Sequence, residues 1–147
     1  MKNKGSGFEY TEQRNNDVMR AYFEQLGRRR RIQLPVVFRE LVDSPSKRFW
    51  VTAERAAIVI SDMIRGDNLD GMRPLKKEMY IEIYNRVMKL KEQFPKRSIY
   101  ELVFEVVQQP APKFYLTAGS ARFIYYKTRG QWFEKRMRRL LGSRYQQ

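Results

Sequence analysis

Cysteine and histidine are both missing from this 147-residue chain. Without cysteine there are no disulfides and no thiolate ligands, and nothing points to an oxidising compartment. Without histidine the commonest general base and the commonest transition-metal ligand go together. Catalysis would then fall to carboxylates, lysine or tyrosine, and the acids are scattered, so the sequence predicts a protein that is not an enzyme, with no metal site and no cofactor. Long apolar runs are also missing. The longest, Ala56 to Ile60, is far too short to cross a bilayer. Met1 to Tyr10 is polar with no apolar stretch after its lysines, so the expectation is a cytoplasmic protein with no membrane partner.

Acidic residues are few: 16 Asp and Glu face 30 Lys and Arg, a net charge of +14. Such an excess draws polyanions. It is uneven, because the 35 residues from Lys113 onward hold nine basic residues and one acid, Glu134. Apolar residues at 42% are nonetheless too many for a disordered chain.

One pattern is written twice at a spacing of 65. Glu40, Val42, Pro45, Phe49, Thr52, Ala53 and Ala56 recur as Glu105, Val107, Pro110, Phe114, Thr117, Ala118 and Ala121. Arg48 against Lys113, Trp50 against Tyr115 and Val59 against Ile124 keep charge, aromaticity or bulk. The reading is an internal duplication. In each copy a first helix carries Val18, Met19, Tyr22 and Phe23, or Ile83, Tyr84, Val87 and Met88. A second carries Leu34, Val37, Phe38 and Leu41, or Ile99, Leu102, Val103 and Val106, the later one opened by a Ser98-x-x-Glu101 capping box. Thr52 and Thr117 are N-caps for a third helix, with inward Ala56, Val59, Ile60 and Met63, or Ala121, Ile124, Tyr125 and Thr128. The connectors before the third helices end in Phe49-Trp50-Val51 and Phe114-Tyr115-Leu116, expected to be short extended pieces whose aromatics pack on the core.

The expected fold is therefore all-α, two tandem three-helix units plus a C-terminal basic amphipathic helix. Residues 1–12 are a flexible arm, 13–66 the first unit, 67–73 a linker, 74–129 the second unit and 130–147 the last helix. Gly130 and Gly142 bracket that helix, with Trp132, Phe133, Arg136, Met137, Leu140 and Leu141 to one side and Lys135, Arg138 and Arg139 to the other. It is expected to dock on the second unit.

The candidate nucleic-acid contacts are basic and polar. Arg28, Arg29, Arg30 and Arg31 precede the second helix of the first copy, and Lys96 and Arg97 stand at the same place in the second. Arginine's planar fork meets phosphate oxygens in pairs. Lys113 lies in the later connector. The outward side of the later third helix offers Ser120, Arg122, Tyr126 and Lys127 behind the small Gly119, followed by Arg129, Lys135, Arg138 and Arg139. Small residues and then cations suit a helix entering a groove, whereas Glu54 and Asp62 on the earlier third helix do not. The earlier copy is assigned weaker backbone contact, or protein contact through Ile58.

The repeated three-helix order, with a capped third helix bearing small and basic outward residues, resembles tandem helix-turn-helix DNA-binding domains of bacterial regulators and mobile-element proteins. That resemblance implies a regulator of transcription or a mobile-element protein, binding duplex DNA in preference to RNA. The connectors, at about nine residues, are longer than the three or four usual in that motif. The alternative is a structural or adaptor protein of an RNA- or particle-associated assembly, binding through its basic C-terminal helix. A protein partner or homodimer is compatible with either.

Overall fold

The computed structural model describes residues 4–145, which form six α-helices: α1 Lys4–Gly27, α2 Leu34–Val42, α3 Ala53–Ile64, α4 Pro74–Gln93, α5 Ile99–Val107 and α6 Ala118–Tyr145. No strand occurs among the described residues, and the only β pairing there is an isolated antiparallel bridge between Ser46 and Ala111. The fold is all-α. Thr52 caps α3 by accepting a hydrogen bond from the Arg55 amide at 3.2 Å, and Ser98 caps α5 by accepting from Glu101 at 3.2 Å. Pro74 opens α4, where its missing N–H removes nothing.

Two helices run further than expected. The backbone is helical from Lys4, in place of the expected flexible arm over residues 1–12; residues 1–3 of that stretch lie outside the described residues. Likewise α6 passes through Gly130 without interruption, joining the expected third helix and terminal helix into one of 28 residues. A helical glycine costs about 1 kcal/mol relative to alanine, too little to stop a helix that has good formers on both sides.

The helices gather into two compact units that do not follow chain order. One unit holds residues 1–41 and 118–147, hence α1, α2 and α6; the other holds residues 42–117, hence α3, α4 and α5. The contiguous stretches 13–66 and 74–129 thus each give two helices to one unit and their third to the other. The segment 67–73 lies within the second unit, with Leu69 buried at φ 61° and held by an Asp67 carboxylate that accepts from its amide at 2.9 Å.

In the first unit Val18, Met19 and Tyr22 of α1 meet Val37, Phe38 and Leu41 of α2 and Ala121, Ile124 and Tyr125 of α6, all buried. Tyr22 is the centre, its ring 3.9 Å from Tyr125 and 5.6 Å from Phe38. In the second unit Ala56, Val59 and Ile60 of α3, Ile83 and Val87 of α4, and Leu102, Val103 and Val106 of α5 form one cluster with Phe49 and Tyr115 from the connectors. Arg86 ties α4 to this corner. Its guanidinium donates to Glu82 at 2.9 Å, Gln109 at 3.2 Å and the Pro110 carbonyl at 3.0 Å, and lies 4.9 Å over the Phe49 ring.

Within that unit the two connectors pair with each other at positions 65 apart. Ser46 and Ala111 exchange both backbone hydrogen bonds at 3.1 Å. The Phe49 amide donates to Val107 at 3.0 Å, and the Phe114 amide to Val42 at 3.0 Å. The later connector is not extended throughout, because Tyr115 sits in the left-handed region at φ 56°. Burial of its ring, stacked 6.1 Å from Phe49, holds that conformation in place.

Candidate nucleic-acid interface

Regrouping the helices concentrates the charge. The unit of α1, α2 and α6 carries 17 Lys and Arg against 6 acids, a net +11, and the unit of α3, α4 and α5 carries 13 against 10, a net +3. Twelve of the fifteen sequence-derived contact residues lie in the first of these: Arg28, Arg29, Arg30, Arg31, Ser120, Arg122, Tyr126, Lys127, Arg129, Lys135, Arg138 and Arg139. Lys96, Arg97 and Lys113 lie in the other.

The arginine turn before α2 divides into two roles. Arg29 is 17% exposed and ion-paired with Glu40 near the end of α2, so it braces the helix. Arg28, Arg30 and Arg31 are exposed. The turn before α5 repeats this division, with Arg97 pairing with Glu105 at 2.7 Å and Glu101 at 3.6 Å and lying over Phe94, while Lys96 points to solvent. Three cations thus face outward at one corner and one at the other. Lys113 is ion-paired with Glu78 and lies 5.6 Å over the Tyr115 ring, which makes it a brace of its own unit.

On α6 the outward face of the first turns is Gly119, Ser120, Arg122, Phe123, Tyr126 and Lys127, all exposed. Arg122 sits 5.8 Å over Tyr126 and Lys127 sits 5.9 Å over Phe123, so each cation is poised above a ring one turn away. A groove of about 290 Å³ between α2 and the start of α6 is lined by Leu34, Pro35, Phe38, Arg39, Ala118, Gly119 and Arg122. Arg39 is the residue the sequence reading missed. Its signal was its place on the polar side of α2, and only the packing of α2 with α6 brings it to Arg122.

The positions 65 away carry different chemistry. Glu54 and Ala57 stand where Gly119 and Arg122 stand, and Phe104 where Arg39 does. The Tyr100 hydroxyl donates to Glu54 at 3.4 Å. A carboxylate there opposes phosphate, so the two corners differ in sign.

Beyond Arg129 no residue of α6 as far as Gly142 is buried, so the expected docking of this stretch is not seen. Every residue from Arg129 to Gly142 is exposed, including Lys135, Arg138 and Arg139, with Glu134 4.0 Å from Arg138. Burying the side that carries those cations would cost more in desolvation than its apolar content returns. Alongside α1 a crevice is lined by Asn15, Asn16, Thr128, Gln131, Lys135 and others, and the Thr128 hydroxyl, 2% exposed, meets no hydrogen-bond partner. The Tyr22 hydroxyl is pushed up to about 12, first by burial and then by its hydrogen bond to Tyr125, with Arg129 pulling the other way. Among the described residues no group of three acids is placed to hold a metal ion, and no helix is long and apolar enough to cross a membrane. Comparison with family models, with curated proteins and with solved structures gives no match for this chain.

Proposed function

We propose that this is an internally duplicated, non-enzymatic nucleic-acid-binding protein that grips duplex DNA through the α1, α2 and α6 unit. The observation that carries the reading is the net +11 of that unit against +3 in the other. In it α6 takes the part of a recognition helix, with Gly119 and Ser120 allowing close approach and Arg122, Lys127 and Arg129 meeting phosphates and base edges. Arg28, Arg30 and Arg31 supply backbone contacts from the α2 corner, and Lys135, Arg138 and Arg139 extend the track along the helix. The duplication is supported by the connector hydrogen bonds, which pair Ser46 with Ala111 and relate Phe49–Val107 to Phe114–Val42 at the same offset of 65. The standard helix-turn-helix turn is replaced by connectors of ten residues, 43–52 and 108–117. The docking angle in the groove is therefore set by the packing of α6 on α1 and α2.

The test is a fluorescence-anisotropy titration of the full chain on a 20-base-pair duplex between about 50 and 200 mM salt. Six phosphate contacts predict a log–log slope near −5 and a loss of affinity on the order of a thousandfold over that range. A slope shallower than about −1 removes the proposal. Equal or tighter binding to double-stranded RNA would replace duplex DNA as the target, because a deep, narrow A-form major groove excludes α6.

A further inference from the structure

The side of α6 facing away from its own unit keeps a strict alternation of three and four residues: Phe123, Tyr126, Gly130, Phe133, Met137, Leu140. That is the core spacing of a coiled-coil strand. Ala121, Ile124, Tyr125 and Thr128 occupy the opposite side and are buried in the unit, so the seam is the face left outward. Phe123 is 68% exposed and Phe133 65%, and Leu141 widens the far end. At about 1.5 Å per residue the seam runs for roughly 26 Å. Its flanks are charged unequally: Arg122, Arg129 and Arg136 line one edge, and Lys127 and Glu134 the other.

We infer that this seam is a docking surface for an acidic amphipathic helix of a partner protein. Three arginines repeating every seven residues along one edge call for glutamates at the facing positions of the occupant. A second copy of this chain is a poor fit. Antiparallel pairing would set Arg129 against Arg129 and Arg122 against Arg136 along one edge, with only Lys127 facing Glu134 on the other to offset them, and parallel pairing would set Arg122 beside Lys127, offset by a single Arg129–Glu134 pair. A lipid surface fits less well too, because Glu134 borders the seam and the apolar stripe is narrow, while Gly130 at its middle lets a partner backbone approach closely. Arg122, Lys127 and Arg129 border the seam and also belong to the proposed nucleic-acid contact, so a peptide and a duplex would compete for them, whereas Phe133 and Met137 lie outside that contact.

The experiment uses the full chain and two synthetic three-heptad peptides with leucine at the core positions, one with glutamate at all flanking positions and one with lysine. Isothermal titration calorimetry at 100 mM salt should show the glutamate peptide binding with Kd below about 100 μM and the lysine peptide not binding. The Phe133→Ser/Met137→Ser variant should bind the glutamate peptide at least tenfold more weakly while keeping its melting temperature, since both side chains are exposed. Equal binding by the double variant would mean that charge alone holds the peptide, and it would overturn the inference. Absence of binding, binding of the lysine peptide, a concentration-dependent dimer in sedimentation that the double variant abolishes, or capture by phosphatidylserine vesicles lost in that variant would each do the same.

Discussion

Arg29 and its neighbours Arg28, Arg30 and Arg31 should separate stability from binding, although the four are consecutive. Arg29 is mostly buried and paired with Glu40, whose side chain is half-exposed. Removing it in Arg29→Ala forfeits a partly screened ion pair and the packing of the stem, together about 1–2 kcal/mol. For a chain of this size that is a fall of roughly 3–6 °C in melting temperature. The Arg28→Ala/Arg30→Ala/Arg31→Ala variant removes three exposed side chains, each within about 0.5 kcal/mol of neutral, so its melting temperature should hardly move. Binding should show the reverse. Each lost phosphate contact lowers the salt slope by about 0.9, so the triple variant should drop from near −5 to near −3, and Arg29→Ala should keep the full slope. Thermal melts by circular dichroism and anisotropy at four salt concentrations read both quantities on one preparation. A slope loss in Arg29→Ala equal to that of the triple variant would refute the division into brace and contact, as would an unchanged slope in the triple variant.

Arg86→Ala removes an ion pair, two further hydrogen bonds and the contact over Phe49, and should destabilise the α3, α4 and α5 unit by about 2–3 kcal/mol in urea titration. Thr128→Val removes a buried hydroxyl that has no partner and should be neutral or stabilising by up to about 1 kcal/mol, read as a rise in the urea midpoint. Tyr115 is pushed up to about 12, first by burial and then by Glu82 and Glu78, and Tyr22 is pushed to about 12 in its pair with Tyr125. Both keep their protons longer when folded, so their contribution is complete below pH 10 and is lost as pH rises from 10 to 12. Absorbance titration near 295 nm should show these phenols ionising after the exposed ones, with the urea midpoint falling over the same window.

The helices themselves were legible because an amphipathic stripe at helical spacing needs little context. Leu102, Val103 and Val106 on α5 and Ala56, Val59 and Ile60 on α3 are buried as their spacing predicts, and Ser98 and Thr52 cap where short polar side chains precede such stripes. The partner of each stripe was not legible. By composition Ala121, Ile124 and Tyr125 could cover either α1 and α2 or α4 and α5, since both pairs present aliphatic and aromatic residues of similar size. Gly130 misled for a related reason: a lone glycine is a stop only where the flanking residues do not favour continuing, and Lys127, Arg129, Gln131 and Glu134 favour a helix. The arginine turn was found by composition, but Arg29 could be told from Arg28 only by seeing where Glu40 lies.

The hydrogen bond from Phe114 to Val42 has a bearing on how the chain comes to be folded at all. Closing a flexible loop of the 76 residues from 42 to 117 would cost α1, α2 and α6 on the order of 4 kcal/mol in chain entropy before any contact among them formed. The inner unit draws its own two ends together, so once it has assembled the outer three helices meet as near neighbours. Synthesis then imposes an order: Tyr22 and Phe38 remain without the Tyr125 ring until the ribosome has released α6, whereas every helix of the inner unit is already out when residue 118 is reached.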